Sequence, residues 1–289
     1  MKDIFHNGEY YIQELMGVRI SADTLSSNIK KTIPNIAAQF LENLNFCVIS
    51  IALENTKHFT FIVYDIKPFI KVSDDKNIVI SLAHHTYIPK DFLLLTNAHF
   101  GFIGLDFEKK MRVRINGKVN SSKEKLEVSI NQIYSNCPKY IAKKFLKNEL
   151  KIVNKQKVEK LVQINSEFIN LLANCDTFFI SSKHNTYGLD VSYKGGKKGF
   201  INVISNDTLK FIDLPGNNLF NTIGNIYANP NIQLIFIDFK RGDIYHVSAV
   251  ANIIENKQEQ NKSLTLNIKC KEILFNKNGF LLDYSEFKQ

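Results

Sequence analysis

Apolar residues recur along this chain in two rhythms, and the switch between them marks out the elements. From Asn35 to Asn45 the positions Ile36, Phe40, Leu41 and Leu44 share one face at helical spacing, and Phe46 to Leu53 is then an unbroken apolar run suited to a buried strand. His58 to Asp65, Phe69 to Val72 and Asn77 to Leu82 predict short strands, with Ser73-Asp74-Asp75-Lys76 as the turn between the last two. Asp91 to Ala98 predicts a short helix. Phe100 to Phe107, Met111 to Val119 and Lys125 to Ile130 predict further strands, so that 35–134 reads as a small antiparallel barrel or sandwich.

The same order then returns. Val48-Ile49-Ser50 aligns with Phe179-Ile180-Ser181 at an offset of 131 residues, and Phe69-Ile70-x-Val72 meets Phe200-Ile201-x-Val203 at the same offset. Asp106-Phe107 meets Asp238-Phe239 one residue later, and the helix expected to end near Asn97 falls on one ending near Asn229. A register kept through helix, strand and turn predicts a tandem duplication, with a second domain over 165–289. Residues 1–34 read as an irregular lead-in ending at Thr32-Ile33-Pro34, with His6 and Glu9 as structural residues that pack the segment on the barrel. The Lys-rich stretch 135–164 reads as a helical connector, and 270–289 as a short helix and tail.

Composition narrows the picture without changing it. The chain has 289 residues, 44% hydrophobic, and a net charge of +9. That is enough for two modest cores and not the composition of a disordered chain. The lysines are spread out, with no Arg-rich arm or zinc-finger spacing, so nucleic acid is not favoured as a partner. Cys47, Cys137, Cys175 and Cys270 are far apart and propose neither a disulfide framework nor a zinc site. The first residues lack an apolar signal core and no apolar run reaches membrane-spanning length, which makes a soluble, cytoplasmic protein the expectation.

Candidate chemistry gathers between Val191 and Asn225. Lys194, the Gly195-Gly196 turn, Lys197 and Lys198 combine positive charge with glycines that let backbone N–H groups face a ligand. Ser192 adds a hydroxyl. After Pro215-Gly216, Asn217, Asn218, Asn221 and Thr222 place polar side chains at the start of a helix, where unpaired donors favour an anion such as phosphate. A solvated Lys-Gly hairpin followed by an ordinary N-cap is the competing reading of the same residues. In the first copy the adjacent His84 and His85 point to different sides of a strand, which argues against a metal. Pro138 at a first helical position would leave Cys137 at the N-cap beside Lys139, a setting that lowers a thiol pKa, although the sequence offers it no base or resolving partner.

Three motifs carry a family resemblance: Asn136-Cys137-Pro138-Lys139-Tyr140-Ile141, Gly195 to Phe200, and Pro215 to Asn225. Together with the opening Phe5-His6-x-Gly8-Glu9 they resemble proteins related to pyridoxamine 5'-phosphate oxidase, the FMN-binding split-barrel family. The resemblance implies a mainly β fold with helices (α+β), as two tandem split β-barrels packed as a pseudo-dimer within one chain. It also implies FMN at the barrel interface and electron or hydride transfer with a small-molecule substrate or electron donor, the flavin supplying the chemistry. Its phosphate would be held by Ser192, Lys194, Gly195, Gly196, Asn217, Asn218, Asn221 and Thr222, giving one FMN per chain. Here Tyr193-Lys194 replaces the family's His-Arg before the glycine pair, keeping the charge and losing the planar fork. The first copy has Ser81 to Pro89 where the cradle should stand, with no Gly-Asn. A flavin or haem carrier without turnover, a degenerate barrel used for macromolecular contacts, and pairing into a homodimer all stay open at this level.

Overall fold

A computed structural model describes residues 4–52, 57–92, 95–122, 124–135, 137–151, 157–256 and 262–286. Two helices come first, α1 (Asn7–Leu15) and α2 (Arg19–Ser26). The first copy follows as α3 (Asn35–Glu42), β1 (Phe46–Ala52), β2 (His58–Tyr64), β3 (Ile70–Val72), β4 (Asn77–Ser81), β5 (Ala98–Asp106), β6 (Met111–Ser122) and β7 (Lys125–Ser135). After β8 (Lys144–Leu150) and β9 (Lys157–Leu161) the second copy contains α4 (Ser166–Asn174), β10 (Thr177–His184), β11 (Gly188–Gly195), β12 (Ile201–Ser205) and β13 (Thr208–Asp213). It continues through α5 (Asn221–Ala228), β14 (Asn231–Ile237), β15 (Ile244–Asn256) and β16 (Ser263–Lys277), and β17 (Leu282–Glu286) closes the chain.

The two sheets have one topology. The first runs β2-β1-β5-β6-β7-β4-β3 and the second β11-β10-β14-β15-β16-β13-β12, so each strand of one copy has its counterpart at the same place in the other. The chain is therefore a pair of tandem split β-barrels, each strand antiparallel to its neighbours, and each sheet curls around its own core.

The unbroken apolar runs find their reason in what lies between the barrels. Cys47, Ile49 and Ile51 of β1 point into the first core, while Phe46 and Val48 point the other way into a third cluster shared by both copies. Phe178 and Ile180 of β10 likewise face the second core and Phe179 the shared cluster, with Ile62, Ile103, Val191, Ile235 and Ile237 around it. A strand buried on both faces has no polar alternation to show. Polar contacts fix the register of this interface: Thr60 and Ser181 hydroxyls lie 2.6 Å apart, and His246 Nδ1 donates to the Thr60 carbonyl at 3.0 Å. Because His246 is buried, its pKa falls to about 4.

Four expected elements differ. The lead-in is helical, because His6 and Glu9 form a reciprocal capping box at the start of α1. The described residues of the connector form no helix: β8 pairs with β17, and β9 with the long β16, and these edge pairings override the helical bias of the lysines. The described residues of 91–98 hold only a short 3-10 turn, Lys90–Phe92, and Ala98 already belongs to β5. The C-terminal stretch is the end of β16 and then β17, with no helix among its described residues.

Candidate functional site

A pocket with a cavity of about 100 Å³ opens where β11, β13 and the start of α5 face β6 of the first copy. Its walls include Ser192, Lys194 and Gly195, then Asn217, Asn218, Asn221 and Thr222, and opposite them Arg112 and Arg114. Tyr140, Tyr193, Phe211 and Phe220 supply apolar rim and floor. The loop before α5 makes two left-handed turns, at Asn218 (φ 60) and Phe220 (φ 57), and no side chain caps the helix. The Tyr140 hydroxyl pins this loop by donating to the Pro215 carbonyl at 2.9 Å.

Most of the donors expected from the sequence are already engaged. Lys194 Nζ is paired with Asp213 at 2.5 Å, which cancels its charge at the wall. Asn217 accepts from the Leu219 N–H within its own loop, Asn218 donates to Ser21, and Asn221 donates to Glu9. The hydroxyls of Ser192 and Thr222 meet at 2.8 Å; two hydroxyls sharing one bond leave one proton for another acceptor. Gly196 lies outside the pocket walls, and its N–H donates to the Asp176 carbonyl. Gly195 is required by packing: a Cβ there would lie 2.2 Å from the Tyr140 carbonyl oxygen. Packing alone accounts for the glycine at 195, which also lines the pocket.

The unspent binding capacity sits on the arginines. Arg114 is 5% exposed; one terminal nitrogen donates to Asp190 at 2.7 Å, and its Nε has no partner. Arg112 donates to the Cys137 carbonyl at 2.8 Å, its buried Nε is also unpartnered, and no carboxylate pairs with it among the described residues. Burial, then the neighbouring Arg114, lowers its pKa to about 10, so it remains charged at neutral pH. Sequence reasoning missed both residues. A signal existed: among 37 Lys and Arg, only positions 19, 112, 114 and 241 are arginine, and two of these alternate along one strand.

Behind the pocket lies a buried polar network joining the N-terminal segment to α5. His6 Nε2–H donates to Asn225 Oδ1 at 2.8 Å while its Nδ1 accepts from the Gly8 N–H. Asn225 passes the chain on to Asp190 at 2.8 Å, and Tyr134 reaches both Asp190 and Asn221. Burial, with His184 adding to it, lowers the His6 pKa to about 4; burial and the nearby Asp190 raise that of Glu9 to about 8. Both shifts favour the uncharged forms, which weakens any ion pairing across their 3.5 Å approach. The Phe-His-x-Gly-Glu opening and the Asn-Thr-Ile-Gly-Asn helix, read separately in the sequence, are one packed unit. Cys137 is exposed and followed by a turn, not a helix, so the N-cap setting expected for it does not form; Asn136 lies outside the described residues.

No family model matches the sequence, and no curated protein matches it. Among solved structures, HupZ of Group A Streptococcus aligns at 17% identity over 39% of this chain and 98% of that one, with a TM-score of 0.32. HutZ, described as the heme storage protein from Vibrio cholerae, aligns at 14% over 40% and 96%, TM-score 0.31. A putative pyridoxamine 5'-phosphate oxidase from Corynebacterium glutamicum aligns at 17% over 45% and 98%, TM-score 0.29. At these scores the matches carry no argument about the site, and the split-barrel fold rests on the strand order and register described above.

Proposed function

We propose that this pocket holds the phosphate of FMN and that the protein is an FMN-dependent oxidoreductase acting on a small substrate. The observation that carries the reading is that two guanidinium groups of the first copy, Arg112 and Arg114, line one wall of the pocket, and that Arg112 has no carboxylate partner among the described residues. A guanidinium carries five N–H donors and a fixed positive charge, and where no carboxylate neutralises it, as at Arg112 among the described residues, an anion in the pocket is the complementary partner. A phosphate carries nearly two negative charges and three acceptor oxygens, which matches these donors and the spare proton of the Ser192–Thr222 pair. Arg112 and Arg114 come from the first copy and the hydroxyls from the second, so the site requires both barrels. Bound FMN would supply the electron or hydride transfer; the chain's own residues bind and orient it.

A flavin carrier without turnover shares this binding reading. Haem is less well supported: among the described residues lining the pocket there is no His, Cys or Met to ligate iron, and the two tyrosine hydroxyls, of Tyr140 and Tyr193, are committed to the Pro215 and Tyr140 carbonyls. Denaturing the purified protein and identifying any released cofactor tests the binding: FMN is the expected product, and haem or no flavin after reconstitution would refute it. Reduction of the bound flavin by NADH or NADPH, with reoxidation by a small acceptor, separates the oxidoreductase from the carrier.

A further inference from the structure

The wall of the pocket formed by Asn218 and by Phe220, Asn221, Thr222 and Ile223 is held from behind by the N-terminal segment. Asn221 Nδ2 donates to Glu9 Oε1 at 2.5 Å, and the other Glu9 oxygen accepts from the His6 N–H at 2.9 Å. Gln13 Nε2 donates to the Leu219 carbonyl at 2.9 Å, and Ser21 accepts from Asn218. Helices α1 and α5 touch backbone to backbone: a Cβ on Gly8 would lie 2.3 Å from the Gly224 carbonyl oxygen, and one on Gly224 2.7 Å from Glu9 Cα. No residue of the N-terminal segment lines the pocket among the described residues, yet it holds Asn218, Leu219 and Asn221 of the α5 entry from behind.

We infer that Glu9 is a positioning residue for the anion pocket, acting as an uncharged carboxylic acid that fixes Asn221 and thereby keeps Thr222 beside Ser192. The inference rests on the phosphate reading of the pocket. Glu9 is 3% exposed and faces Asp190 on β11, Arg114 on β6, Tyr134 on β7 and His6 of its own segment, with the His184 ring of β10 tilted against His6 at 4.2 Å. Arg114 is the cation among them and is already paired with Asp190. An ionised Glu9 would place a second carboxylate beside Asp190 with no cation left to balance it. The neutral acid completes the network. The same heavy-atom positions fit the Asn221 amide in either orientation; with its oxygen turned toward Glu9, Glu9 O–H donates to Asn221 Oδ1 and Asn221 Nδ2 donates to Tyr134, whose own proton goes to Asp190.

The test uses the full chain, FMN as the probe, and Glu9→Gln beside Glu9→Ala. The amide can take the place of the neutral acid, so Glu9→Gln should bind FMN within about threefold of wild type, while Glu9→Ala should bind roughly tenfold more weakly. Wild-type affinity should fall as pH rises through about 8 while that of Glu9→Gln does not. Equal affinity of all three proteins, or Glu9→Gln as weak as Glu9→Ala, would overturn the inference. Hydrogen exchange without ligand gives an independent arm: the amides of 219–226 should exchange faster in Glu9→Ala alone, and identical exchange in all three would also overturn it. If wild type binds no FMN, the phosphate reading falls and the exchange arm still decides on Glu9. If Glu9→Ala does not fold, the pH profiles of wild type and Glu9→Gln decide, and superimposable profiles would refute the role.

Discussion

The two barrels share a topology and differ at the positions that decide whether a pocket can exist. Registers make the comparison residue by residue: Ile103 pairs with both Val48 and Arg114, and Ile235 with Phe179 and His246, so Arg114 and His246 are counterparts, as are Arg112 and Ile244. On the second strand of each barrel, Asp190, Ser192 and Lys194 stand where the first copy has Phe59, Phe61 and Val63. The first copy fills that space with phenylalanine and stacks His246 on Phe59 at 5.5 Å. The second leaves it polar, places Arg114 on Asp190, and closes the back with α1 and α5. One duplicated scaffold thus yields a core in one half and a cleft in the other, and three alternating side chains mark the difference.

Exchanging those side chains breaks the comparison most strongly. Phe61→Ser, which writes the second-copy residue into the first, should cost roughly 3–5 kcal/mol of stability by chemical denaturation, because the site is packed on all sides, and should create no second FMN site. Ser192→Phe should do the converse, filling the pocket and abolishing FMN binding by titration while the fold persists by circular dichroism.

Stability against pH should show the buried network next. Glu9 holds its proton more tightly folded, with a pKa of about 8 against an ordinary 4.5, so its contribution is full below 4.5 and is lost as pH rises to 8. His6 and His246, held near 4 against 6.5, act oppositely, and theirs is lost as pH falls from 6.5 to 4. Between 6.5 and 8 Glu9 alone of these three titrates, and stability should fall by roughly 2 kcal/mol, at 1.36 kcal/mol per pH unit. Thermal melts across this window should show the fall in wild type and not in Glu9→Gln. A smaller effect is expected at the wall: Asp213→Asn releases Lys194 and should tighten FMN binding by up to about tenfold. Smallest is the labelling of Cys137, which should outpace the other three cysteines because it is exposed and they are buried; equal rates would show that the native protein opens.

Much of the fold was legible because a duplication repeats its own pattern. The offset of 131 placed β1 on β10 and β3 on β12, and the strand order followed. The helical reading of 135–164 failed because edge strands take their conformation from a partner distant in sequence, as β9 does from β16. In the site, the segment 215–222 was visible from its turn residues and polar helix start. What it does with those side chains was not: Asn221 is turned to Glu9, 212 residues earlier, and no local rule signals that contact. Arg112 and Arg114 were hidden for the same reason, since their strand belongs to the copy that has no cradle.

The central claim is that one pocket per chain binds a phosphate through arginines of the first barrel and hydroxyls of the second. Calorimetric titration of the flavin-free chain with FMN, repeated for Arg112→Glu, tests it most directly. The account predicts a single site in wild type and a loss of affinity of about a hundredfold or more in the variant, as one charge-assisted donor is replaced by a repelling carboxylate. Two equivalent sites per chain, or undiminished affinity in Arg112→Glu, would contradict it.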